Sequence, residues 1–378
     1  MPYLSLIIFL PLVGAFVIAL LPKDNVKAVK WAAVLFTAAS LALSLAVFFQ
    51  FDPGKTDPQF QFQHRFIWVE NLGIQYNVGV DGLSLPMVAL TTFLSFVAVL
   101  GSWVPIKFRE KEYYALFLIL ETGILGVFSS LDLLLFFLFW EVELIPMFLL
   151  IAIWGGPRRE KAATKFVMYT LAGSALMLVG ILALYFSSEP RTFDMLALAN
   201  TSLGRDFQIA VFLLMFAGFA IKLPVVPLHT WLPWAHVEAP TTVSVMLAGV
   251  LLKMGAYGLL RINSFILPEA TQALAFILGV LAVINVVYGA GVSMVQDDMK
   301  KMIAFSSVSH MGFVLLGWSA LNVVSVNGAA LQMFTHGTIS GLLFMLVGTL
   351  SEKTPHHIRL VSKLGGIAPK MPWLATIF

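Results

Sequence analysis

Eleven runs of about twenty apolar residues follow one another along this chain, and that repetition leaves few folds open. A helix needs about 20 mostly apolar residues to cross about 30 Å of hydrocarbon. By that measure spans are predicted at 3–21, 31–51, 83–103, 113–131, 133–154, 164–186, 207–229, 241–260, 273–295, 302–321 and 328–350. A twelfth begins near Pro372 and is cut off at Phe378, so the chain reads as a length of something longer. Hydrophobic residues are 59% of the total and charged residues 11%, where a soluble domain carries about 25%. Lipid is the solvent such a surface requires, and the fold class is all-α and polytopic. Cysteine is absent, which removes disulfides, thiolate metal sites, Fe–S ligation and a cysteine nucleophile together. The first run has no basic segment before it and no small-residue cleavage site after it, so it is a span rather than a signal peptide.

Basic residues orient the spans. Loops after odd-numbered spans hold sixteen Lys and Arg, among them Lys23, Arg109, Arg158, Lys300 and Lys353. Loops after even-numbered spans hold five, namely Lys55, Arg65, Arg191, Arg205 and Arg261. The positive-inside rule puts the N-terminus outside and the odd loops on the cytoplasmic or stromal-type side. The localisation expected is therefore integral and multi-pass, in a bacterial inner membrane or a thylakoid. Between spans 2 and 3, Phe60, Phe62, Phe66, Ile67 and Trp68 suggest a strand or interfacial segment.

The two remaining basic residues, Lys222 and Lys253, lie inside spans. A charge at mid-bilayer costs about 2.5–3.5 kcal/mol on insertion scales, so it is rarely kept without use. Glu121, Glu141 and Glu143 share that depth, and His229, His310 and His336 join them as relays. Glu141 is the ninth residue of its span. Glu143 is two further on, hence about 200° around the helix, so the two cannot share one face. Lys222 stands just before Pro224 and Pro227, which remove two amide donors and should break the helix. Broken backbone at membrane depth survives only against protein or a hydrated cavity, and transporters place ion sites there. A lysine at a helix end can also snorkel to the interface, but Leu223 to Trp231 continues apolar and leaves no interface near. Lys253 is the thirteenth residue of its span, among Ala248, Gly249, Gly255, Ala256 and Gly258, which suit close helix packing.

These residue types suit proton transfer. An amine taken out of water can change charge near neutrality, and a carboxylate nearby opposes that change. At 4 Å and an effective dielectric of about 20 the attraction is about 4 kcal/mol. Moving Glu141 toward or away from Lys222 would switch the lysine between holding and releasing its proton. Histidine suits a relay between such sites. Met168-Tyr169-Thr170 is echoed by Met333-Phe334-Thr335, and Met177 to Gly180 by Met345 to Gly348. Five spans separate spans 6 and 11, so repeated units of that kind would be inverted in the membrane.

Phe139-Trp140-Glu141 through Pro146, Ala162 to Phe166, Ala220-Ile221-Lys222-Leu223-Pro224 through Pro233, Leu247 to Lys253, and Asp298 to Phe313 together resemble the antiporter-like subunits of respiratory complex I. The resemblance is to the subunit M (chain 4) type of proton-translocating NADH- or NAD(P)H-quinone oxidoreductase, in its cyanobacterial and plastid form. It implies a fourteen-helix fold with inverted five-helix repeats and broken helices. The divisions expected are 1–112 (three N-terminal spans), 113–262 (first repeat) and 263–378 (second repeat, incomplete). It also implies a proton path through Glu141, Lys222, Lys253, His310 and His336, ending on an ionisable residue of span 12, a helix of which only the start is present here. No cofactor is expected in this chain. NAD(P)H or ferredoxin, Fe–S clusters and quinone would belong to partner subunits of the membrane-embedded assembly. Two positions depart from the pattern: Trp234 stands where Asp is usual and Phe305 where Tyr is common. Competing readings are a subunit of a multi-subunit Na⁺/H⁺ antiporter, a membrane arm of a hydrogenase or of a CO₂-uptake complex, and a spacer whose buried charges only hold helices together.

Overall fold

The computed structural model describes residues 2–55, 59–354 and 358–378. Among them ten helices are long and apolar enough to cross a membrane. They are α1 (Tyr3–Leu20), α2 (Val26–Gln50), α3 (Ser84–Gly101), α4 (Glu110–Ser129), α5 (Leu133–Trp154), α6 (Arg159–Ser187) and four more between residues 241 and 353. A short α7 (Met195–Ala199) precedes α8 (Arg205–Lys222), which stops where the prolines begin. The chain re-enters a helix as α9 (Trp231–Glu238). It continues through α10 (Thr241–Ile266), α11 (Pro268–Met294), α12 (Met299–Ser319) and α13 (Val323–Lys353). A last short helix, Pro372–Ile377, lies where the twelfth span was expected to begin. Span 7 is shortened most: its helix ends at Lys222 rather than running to 229, because Pro224 and Pro227 cannot supply amide donors.

Two devices fix the helix ends. Asp132 caps α5 by accepting from the Leu134 and Leu135 amides at 2.9 and 3.0 Å. Asp298 caps α12 in the same way, through Lys300 and Lys301. Such caps satisfy donors that a helix start leaves orphaned. Basic residues from four separate loops, Lys107, Arg158, Lys300 and Arg359 among them, line one cavity of about 1580 Å³. The loops read as cytoplasmic therefore meet at one end of the bundle.

The aromatic stretch between α2 and α3 forms an antiparallel hairpin, β1 (Gln61–Val69) with β2 (Ile74–Val80), in which Arg65 faces Asn77 and Phe66 faces Tyr76. β2 is the buried strand, and Asn77 O accepts from the Leu131 amide at 2.8 Å. At this lysine-poor end Asp132 is buried beside the strand, within reach of the Asp194 charge. Burial pushes its carboxyl up to about 6, and Asp194 adds to the shift. A folded value above the unfolded one favours the protonated fold, so the penalty for the charged form builds as pH rises from about 4 to 6 and is constant above that. Asp132→Asn keeps a capping side chain without the charge. Above pH 6 the variant should melt higher in detergent than the parent, by up to about 3 kcal/mol of stability, with the gap closing toward pH 4.

Candidate functional site

Several backbone groups freed by the break after α8 find partners close by. The amides of Leu223 and Val225 bond the carbonyls of Phe219 and Ala220 at 2.8 Å each. The Trp231 indole donates to Ile221 O at 2.9 Å. Asn285, fully buried on α11, reaches across: its Oδ1 accepts from the Val226 amide at 2.6 Å, and its amide donates to Pro224 O at 3.2 Å. Without such partners a peptide group out of water costs several kcal/mol. Asn285 escapes a search for ionisable residues; its signal is a lone amide inside an otherwise apolar span.

Lys222 ends α8, buried to 1% exposure, with its amine against the Glu143 carboxylate and 4.8 Å from the centre of the Trp140 ring. Glu143 sits at the turn that divides α5 into Leu133–Val142 and Leu144–Trp154. Pro146 explains that turn, since it cannot bond the Val142 carbonyl. Gly123 of α4 lets the two backbones meet there: a Cβ on it would stand 2.9 Å from the Glu143 nitrogen. The pairing expected from the sequence was Glu141 with Lys222, and the ion pair formed is with Glu143 instead. With about 200° between the two glutamates, only one can face α8. Glu141 is half-buried beside Leu138, Val142 and Ile145, which are exposed, yet it stays near enough for its charge to act on Lys222. Glu121, buried in α4, has no hydrogen-bond partner for either oxygen among the described residues.

Gly255 of α10 does for Lys222 what Gly123 does for Glu143. A Cβ there would fall 2.5 Å from Phe219 O and 2.7 Å from the Leu223 nitrogen. Lys253, two residues earlier, therefore leaves the opposite side of the same helix. A π-helical turn, Leu247–Leu251, precedes it. The wider π turn leaves carbonyls out of the regular ladder, and the Lys253 amine is hydrogen-bonded to one of them, on Ala248. Its other partner is His336 Nδ1 at 2.6 Å. His336, buried on α13, contacts Ser307 Oγ through Nε2 at 3.1 Å. The His310 ring follows at 5.4 Å between centres, and its Nδ1 meets the Gln332 amide nitrogen at 3.0 Å. Lys253, His336 and His310 are thus one string across α10, α13 and α12.

His229 is buried near Tyr288 and Phe305, apart from that string, and lines a separate cavity of about 330 Å³. Trp234, the departure from the family pattern, lies there too. Arg158, Lys161 and Lys165 approach its ring to 5.1, 5.0 and 5.9 Å. An aromatic face attracts cations without carrying a charge of its own, so the tryptophan still serves three basic side chains.

Comparisons with known proteins agree with this architecture. The family described as "NADH:quinone oxidoreductase/Mrp antiporter, TM" matches residues 130–378. The NAD(P)H-quinone oxidoreductase chain 4 of Gloeobacter violaceus is 45% identical over 378 residues, covering 100% of this chain and 70% of the relative. NADH-quinone oxidoreductase subunit M of Rickettsia bellii is 41% identical over 385 residues, covering 100% and 77%. The solved structure of respiratory complex I from Thermus thermophilus with bound NADH contains a chain that superposes with a TM-score of 0.89 at 30% identity, covering 100% of this chain and 76% of that one. Broken α8, the buried lysines and these matches together place the chain in the NADH:quinone oxidoreductase/Mrp antiporter membrane-subunit family.

Proposed function

We propose that this chain is a proton-translocating subunit in the membrane arm of a quinone oxidoreductase complex of the complex I type. Electron transfer from NAD(P)H or ferredoxin to quinone, with its flavin and Fe–S groups, is assigned to partner chains. The observation that carries the reading is the pair of lysines buried at membrane depth on two sides of α10, one against a carboxylate and one against an imidazole. Each contact offers a proton two resting places. Between Lys222 and Glu143 a proton shift converts an ion pair to a neutral pair, and in a low-dielectric site the surroundings decide which form is held. Lys253 then hands its proton to His336 Nδ1 as the ring's other nitrogen releases one toward Ser307 and His310. Glu141, at the edge of an outward apolar face, supports a partner membrane subunit covering that face.

We propose the divisions 1–112, 113–262 and 263–378 as functional units. Glu141, Glu143, Lys222 and Lys253 lie in the second, and His310 and His336 in the third. The site is accordingly Glu141 and Glu143, Lys222, Lys253, His310 and His336. Reconstituting the complex that contains this chain into sealed vesicles and driving it with quinone reduction tests the reading. Lumen acidification is expected that does not depend on sodium ions. Transport that stops when sodium is withdrawn would instead favour an exchanger.

A further inference from the structure

His236 belongs to none of the stations above, and its surroundings are unusual. It is fully buried near the end of α9, and neither ring nitrogen has a hydrogen-bond partner among the described residues. Its ring lies flat on Phe344, 4.7 Å between centres and 11° between planes. A buried imidazole normally satisfies at least one nitrogen, so such an arrangement is costly to keep for packing alone, where a phenyl ring would stack as well.

We propose that His236 is a proton-relay residue joining the basic cavity at the lysine-rich end to Lys253; this rests on the function proposed above. Three observations place it. On its cavity side, Val237, Glu238 and Ala239, the residues that follow it, line the cavity of about 1580 Å³, and buried Lys300 donates to Ala239 O at 2.8 Å. On its other side, α13 presents His336, Ser340 and Phe344 at successive spacings of four, all buried, hence on one stripe of the helix. Phe344 carries His236 and His336 carries Lys253, about 12 Å apart along the axis at 1.5 Å per residue. Ser340 lies between them and donates to His336 O at 2.6 Å. Finally, Lys253 and Lys300 are both near enough for their charges to act on the His236 ring. The step balances within the ring: one nitrogen takes a proton from the cavity side, the other gives one toward Ser340 and Lys253, and the imidazole is left as the opposite tautomer.

Two substitutions in the intact complex separate relay from packing. His236→Phe preserves the stack and removes the exchangeable nitrogens, whereas His236→Gln loses the stack and keeps groups that can hold a proton wire. A relay expects His236→Phe to assemble and to slow vesicle acidification by on the order of tenfold or more. His236→Gln should be slowed less, with a larger solvent deuterium effect. If the phenylalanine variant does not assemble, a slowed glutamine variant with that larger isotope effect still supports the relay. Phenylalanine pumping at the parental rate, or glutamine at the parental rate with an unchanged isotope effect, overturns it. Lys253→Met is run beside them: if it also pumps normally, the failure belongs to the proposed function and not to His236.

Discussion

Lys253→Met should leave the chain assembled with its partners while proton translocation falls by on the order of 100-fold or more. Methionine keeps the straight apolar stem and drops the ammonium group, so a desolvation cost disappears with the charge. The losses on the other side are the bonds to Ala248 O and His336 Nδ1, the latter worth about 1–3 kcal/mol if that nitrogen is left unsatisfied. Stability should therefore change little, and transport a great deal. Lys253→Arg sharpens the result. Arginine restores the positive charge but does not give up its proton under any ordinary condition. If the charge alone were needed to hold α10 against α13, arginine would rescue. If the amine must release its proton, arginine should be as inactive as methionine. Co-purification of the partner subunits measures assembly, and acidification of vesicles measures transport.

The second large effect concerns Lys222 and Glu143. Removing one member of a buried ion pair strands the other and typically costs about 3–5 kcal/mol. Replacing both with apolar side chains of similar size is often neutral or stabilising. Glu143→Gln or Lys222→Met alone should thus reduce both assembly and pumping. The double variant Lys222→Met with Glu143→Leu should recover assembly and recover no pumping. A spacer, whose charges only hold helices together, would regain everything in the double variant.

Much of this was legible because lipid makes sequence explicit. Twenty-residue apolar runs locate the helices to within several residues, and Pro224 with Pro227 mark the break at Lys222. The aromatics from Phe60 to Trp68 indicated a strand or interfacial segment, but not the second strand that pairs with it. The choice between Glu141 and Glu143 was not legible. It depends on a turn at residue 143 and on Gly123 allowing α4 to approach, both of which are set by packing between helices. His336 as partner of Lys253 was equally out of reach, with 83 residues between them. Asn285 was missed for a different reason: it holds the broken backbone with a neutral amide, and a search for charge passes over it.

That protons move through these side chains is tested most directly by the infrared difference spectrum of the complex between its oxidised and reduced forms. A protonated-carboxyl band that appears or vanishes with redox state is expected in the parent protein, and its loss is expected in the double Lys222→Met, Glu143→Leu variant. A parent spectrum with no carboxyl band, or a band that survives unchanged in that variant, would contradict a proton passing between Lys222 and Glu143.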